Sequence, residues 1–123
     1  MAITGLKNHA PLDRCETLAF TETAIRTQGE MSLLNDIVNI SVTAAAVGDL
    51  IAKLIKSPSI TVPCAIAATG AYTVGSKVYF DATDEEVNET ASGNTLCGVV
   101  IEAPDTGAEE VKINFDGTLG IVA

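Results

Sequence analysis

Apolar and polar residues alternate with a period of two over several short stretches of this chain, and that period belongs to strands rather than helices. In residues 36–43, Val38, Ile40 and Val42 alternate with Asn39, Ser41 and Thr43. The pattern predicts a half-buried strand with one dry face and one wet face. In KVYFD, residues 77–81, Val78 and Phe80 fall on one side and Tyr79 on the other. Residues 111–116 repeat the theme, with Val111, Ile113 and Phe115 set against Lys112, Asn114 and Asp116. The continuous apolar run at 96–101, around Gly98, predicts a strand buried on both faces.

Between these runs the breaks are strong. Gly48-Asp49, the acidic stretch 81–86, residues 91–94 and the sequence Pro104-Asp105-Thr106-Gly107 all read as turns. Residues 87–90 return from the acidic turn as a strand. Residues 18–28 are Thr-rich and favour a strand, which Gly29 ends. The stretch 44–55 stays open: Ala44 to Ala46 favour a helix, but Gly48 sits in its middle, and 50–55 also fits an apolar strand. Pro58 and Pro63 make 60–63 an edge strand or a connection, because proline donates nothing to a ladder. Strands thus recur every ten to twelve residues or so, the spacing of a small antiparallel barrel or sandwich. The fold class is mainly β, a barrel or sandwich of β-tulip kind with an extended N-terminal arm. The arm covers 1–17, where Gly5, Asn8, Pro11 and Asp13 break every period. A single β-rich domain covers 18–123.

Composition narrows the core. Aromatic residues are 4% of 123 and tryptophan is absent, so Val, Ile, Leu and Ala must fill the interior. Such a core buries less area per residue than one built on rings, and oligomerisation often supplements it. A formal net charge of −9 argues against nucleic acid and against an anionic membrane surface. The apolar stretch 33–55 is interrupted by Asp36, Asn39, Asp49 and Lys53, which makes it a poor bilayer span. The first residues lack the apolar segment of a secretory signal.

Candidate chemistry is sparse. Cys15, Cys64 and Cys97 are far apart and have no metal-binding spacing. Cys64 and Cys97 lie in apolar runs and read as buried thiols acting as small hydrophobes. The one histidine, His9, lies in the arm, away from any nucleophile and carboxylate that could form a triad. Asp81, Asp84, Glu85, Glu86 and Glu89 could offer oxygens to a hard cation, but the spacing is not that of a calcium loop, and a solvated hairpin tip is the simpler reading. No glycine-rich phosphate loop is present. Lys53 and Lys56, beside an apolar run, read as surface lysines. Neither a metal nor a cofactor is called for. A small hydrolase of a type without a motif is the weakest alternative.

Three segments together carry a resemblance. They are GSKVYFDAT at 75–83, TASGNTLCGVVIEA at 90–103 and GAEEVKINFDG at 107–117. In order and spacing they resemble the capsid decoration, or cement, proteins of tailed bacteriophages. The likeness is close over about the last 45 of the residues up to Gly117, and looser back to Gly48-Asp49. Tyr79-Phe80 stands where the family usually has Tyr-Trp, the first 45 residues or so follow the family less, and 118–123 run past its common end. The resemblance implies a non-enzymatic structural protein on the exterior of the virion, assembled in the host cytoplasm. It would bind the major capsid protein of the expanded head and other copies of itself as a homotrimer, with no nucleic-acid or membrane partner. The arm would be the capsid-binding part, through Ile3, Thr4, Leu6, Lys7, His9 and Leu12. The alternative is a tail or fibre module that binds carbohydrate. It needs exposed aromatic side chains over a groove, for which Tyr72, Tyr79 and Phe80 are the candidates.

Overall fold

The structure, a computed structural model, describes residues 14–122. It is built around one long strand. In chain order the strands are β1 (Glu16–Thr21), β2 (Met31–Leu34), β3 (Ile37–Ser41), β4 (Leu50–Pro63), β5 (Lys77–Asp81), β6 (Glu86–Asn88), β7 (Thr95–Glu102) and β8 (Glu110–Asp116). A single helical turn, α1 (Leu119–Val122), follows. All strand pairs are antiparallel, in the order β2-β3-β4-β8-β7-β5-β6, with β1 also on β4. A bridge between Cys64 and Val87 brings the end of β4 back to β6, so the sheet nearly closes into a barrel. The mainly β reading and the barrel are borne out.

β4 belongs to two regions. Its first half pairs with β1 along residues 50–56 and with β3 at Leu54 and Lys53. Its second half pairs with β8, from Lys56↔Asp116 to Pro63↔Glu110. Residues 60–63 are therefore not a separate edge strand but the end of a 14-residue strand. The prolines are tolerated for local reasons: Pro58 sits in the bulge between Ser57 and Ile60, and Pro63 is the last residue of the strand. The helix considered over 44–55 does not form; residues 46–49 turn at Gly48 (φ 94°) and the strand begins at Leu50.

One apolar cluster runs through both regions. Val78, Phe80, Val111, Ile113 and Phe115 are all buried, as their alternation predicts, and Val38, Ile40, Leu54 and Met31 join them. Cys64 and Cys97 are buried thiols within it. Strand β7 departs from expectation. Val99 is only half-buried and Ile101 is exposed, so the run is covered on one face for most of its length. Gly98 explains its neighbour's proximity: a Cβ there would come within 2.5 Å of the Asn114 carbonyl oxygen. Gly117 joins the two regions. Its N–H donates to Ile55 O (2.7 Å) and its carbonyl accepts from Val38 N (2.9 Å). A Cβ at that position would overlap the Val38 oxygen, at 1.7 Å.

Candidate functional surfaces

The wet face expected on β3 is buried. Asn39 and Ser41 are both fully covered, and so is Lys53 across from Ser41 on β4. The loop of residues 22–30 supplies the ionic partner of Lys53, while Asn39 and Ser41 meet theirs on strands β2 and β4. The Lys53 ammonium pairs with Glu22 Oε2, donates to Ser41 Oγ at 2.8 Å and lies 5.4 Å from the centre of the Phe20 ring. Arg26 bridges two carboxylates, Glu22 (3.2 Å) and Glu30 (2.8 Å). Ser32 Oγ donates to Asn39 Oδ1 at 2.8 Å. Ions this far from water are tolerated only when each finds hydrogen-bonded partners of opposite charge. Burial by itself would push the Glu22 carboxyl up, but hydrogen bonds from Lys53 and Arg26, and their charges, outweigh it and hold it below its ordinary value.

Lys53 is thus not a surface lysine. Its sequence context, a lone charge inside LIAKLI, carried the signal, because every neighbour along the strand is apolar. Glu22, among threonines, carried none.

Above this cluster the loops at 21–26 and 44–50 are zipped together. Arg26 and Ala45 exchange both backbone hydrogen bonds (2.9 and 3.0 Å), Glu22 N donates to Asp49 O (2.8 Å), and Gly48 N donates to Glu22 O (2.9 Å). The tip they form presents Ile25, Val47 and Leu50, which are 77%, 64% and 71% exposed.

The acidic residues cluster elsewhere. Residues 81–110 hold nine of the sixteen acidic side chains and none of the seven basic ones; the remaining seven acids and seven bases cancel, so this segment carries the whole net charge of −9. Asp81 Oδ1 accepts from Thr83 N and Asp84 N, at 2.9 and 3.3 Å, which spends that carboxylate on its own turn. Glu89 accepts from Tyr72 N at 3.1 Å. Among the described residues no group of three or more His, Cys, Asp or Glu is placed to hold a metal ion. No helix among them is long and apolar enough to cross a membrane.

Of the aromatic candidates for a sugar platform, Tyr72 and Phe80 are buried and Tyr79 is half-buried. Tyr72 occupies a left-handed backbone conformation (φ 54°) and donates its hydroxyl to Ala65 O at 3.0 Å. It is a structural pin for the 65–76 loop. Burial, and then the adjacent Cys64, push its phenol upward. Burial also raises the Cys64 thiol to about 11 and the Cys97 thiol to about 12. Neither thiol is a reactive nucleophile at neutral pH. The arm residues Ile3, Thr4, Leu6, Lys7, His9 and Leu12 lie outside the described residues.

The sequence profile of the phage cement proteins matches residues 13–115. The chain belongs to the phage cement protein family. The match takes in β1 to β8 up to Phe115, and so reaches much further toward the N-terminus than the motifs alone. The family is one of structural proteins associated with the phage capsid, not a family of enzymes. No curated protein and no solved structure matches the chain.

Proposed function

We propose that this cement protein binds the outer surface of the expanded capsid of a tailed phage and stabilises the lattice of major capsid protein against the pressure of packaged DNA. The family match over 13–115 is the observation that carries the reading. The fold supports it, because a nearly closed sheet with a continuous core offers a rigid body to a repeating scaffold. Many weak contacts on a lattice add up through effective concentration, so each need not be strong alone. In this reading the protein sits on the virion exterior, acts as a homotrimer after assembly in the host cytoplasm, and carries out no catalysis. Residues 1–12, with Ile3, Thr4, Leu6, Lys7, His9 and Leu12, add contacts as a strap, a role an extended segment performs by pairing with a neighbour's sheet edge.

Co-sedimentation tests it. Purified protein should pellet with expanded shells and stay in solution with unexpanded ones. Equal binding to both, or to neither, contradicts the proposal. A chain lacking residues 1–12 should keep its fold and pellet less. The carbohydrate alternative is less well supported, since Tyr72 and Phe80 are buried and, of its three candidates, Tyr79 alone is partly open to stack on a sugar.

A further inference from the structure

We infer that the apolar tip bearing Ile25, Val47 and Leu50 is the surface that seats in an uncharged, apolar recess of the shell subunit; this rests on the capsid-binding reading above. Four observations converge on it. The three side chains are the most exposed large aliphatics of their region, 64–77% open to water. Isolated exposed aliphatics are ordinary, but three carried by two loops bonded to each other mark a contact surface.

The tip is also held still. Its two loops share four backbone hydrogen bonds. Beneath them the Glu22–Lys53–Arg26 cluster ties one loop to β4. A surface fixed before binding loses less conformational entropy on docking. The buried ions thus serve a purpose that fold stability alone does not require, since apolar residues of similar size often do as well in such a place.

Third, the tip avoids charge in a strongly acidic protein. Within residues 21–25 and 43–50 the only ionised side chain left exposed is Asp49, whose Oδ2 accepts from Ala46 N at 2.9 Å. A basic partner surface would find almost nothing to pair with, so the matching surface is neutral and apolar. The second exposed aliphatic pair, Ile66 and Val74, makes the contrast. The neighbour of Ile66, Ala67, is bonded to Gly107 and Ala108, in the loop that carries Asp105 and Glu109 and leads into Glu110 of β8.

Fourth, the tip is too small to hold two free copies together. Three aliphatic side chains bury a few hundred Å2 at most, against roughly 800 Å2 per partner in a standard interface. It suits a partner that repeats its recess across a lattice.

The test compares the full chain with two surface variants. One is Ile25→Ser/Val47→Ser/Leu50→Ser and the other, a control, is Ile66→Ser/Val74→Ser. All five positions are solvent-exposed, and thermal melts check that both variants remain folded. Co-sedimentation with expanded shells should fall at least tenfold for the triple variant and stay near wild type for the control. Wild-type attachment should also survive molar salt, which would dissolve a contact made by the acidic 81–110 segment. The single variant Val47→Glu provides a second reading should the triple variant melt early, and it too should detach. Wild-type binding with an unaffected triple variant, or equal losses in triple variant and control, overturns this inference alone. So does a free oligomer that the triple variant dissociates, because the tip would then be a contact between copies. Wild-type protein that binds no shell overturns the capsid reading with it.

Discussion

The two halves of β4 run through regions that solve burial differently. Along residues 57–63 the strand joins β8, β7, β5 and β6 around aliphatic and phenyl side chains. Along residues 50–56 one face of the sheet does the same through Leu54, Val38 and Ile40, but the opposite face buries Lys53, Ser41 and Asn39, with Glu22 paired to Lys53 and to Arg26. The first solution is tolerant, since apolar contacts are non-directional and volume is what matters. The second is exacting, because each ion depends on the others for its place. The exacting region is also the one that presents exposed aliphatics on a tip almost free of charge.

The largest effect should come from breaking the ionic cluster. Lys53→Met keeps the volume but leaves the buried Glu22 with Arg26 as its remaining cation, and urea unfolding should show a loss of about 3 kcal/mol, the low end for a broken buried pair. The double variant Glu22→Gln/Lys53→Met should recover most of that loss. A single variant within about 1 kcal/mol of wild type would mean that water reaches the cluster, and the contrast between the regions would disappear.

The joint comes next. Gly117→Ala drives a Cβ into the Val38 carbonyl and must push β3 away from β8, at a cost of about 1–3 kcal/mol in the same assay. Hydrogen exchange should rise at Val38 and Gly117, whose amides span the joint. Unchanged protection there would show that the two regions are not coupled through this residue.

The smallest effects are those of pH, and they differ by region. The Glu22 carboxyl titrates below its ordinary 4.5 when folded, so the unfolded chain takes up that proton first as pH falls. Its stabilisation is complete above about pH 4.5 and is lost on further acidification; the stability gap between wild type and Glu22→Gln should narrow there. At the other extreme, Cys64 and Cys97 ionise near 9.0 when unfolded but only at about 11 and about 12 when buried. Their contribution is complete below pH 9 and fades as pH rises through those values, an alkaline loss seated in the barrel. Cys97→Ala should make the alkaline limb shallower, with Cys64 still contributing to it, and leave the acid limb alone, as measured by chemical denaturation across pH.

The same division decided what the sequence made legible. Strands β5 and β8 were plain, because Val78, Phe80, Val111, Ile113 and Phe115 keep a strict period of two against polar neighbours, and a barrel core rewards that pattern directly. The polar face of β3 misled, since Asn39 and Ser41 look solvated until Ser32 on β2 and Lys53 on β4 are known to meet them. Local pattern reports that a side chain is polar, not whether a paired strand will supply its partner. The tip was illegible for a related reason: Ile25, Val47 and Leu50 come from separated segments, and only the backbone bonds between the loops bring them together. The capsid role was read from the order of motifs in 75–117, and the family match over 13–115 bears out that recognition.

A protein that reinforces a phage head must raise the temperature at which the head gives up its DNA. DNA-filled heads lacking it should be heated with and without added purified protein while DNA release is followed with a dye. Bare heads should release DNA at a lower temperature, and added protein should restore the wild-type temperature in full. Identical release curves with the protein bound and absent would contradict the reinforcing role.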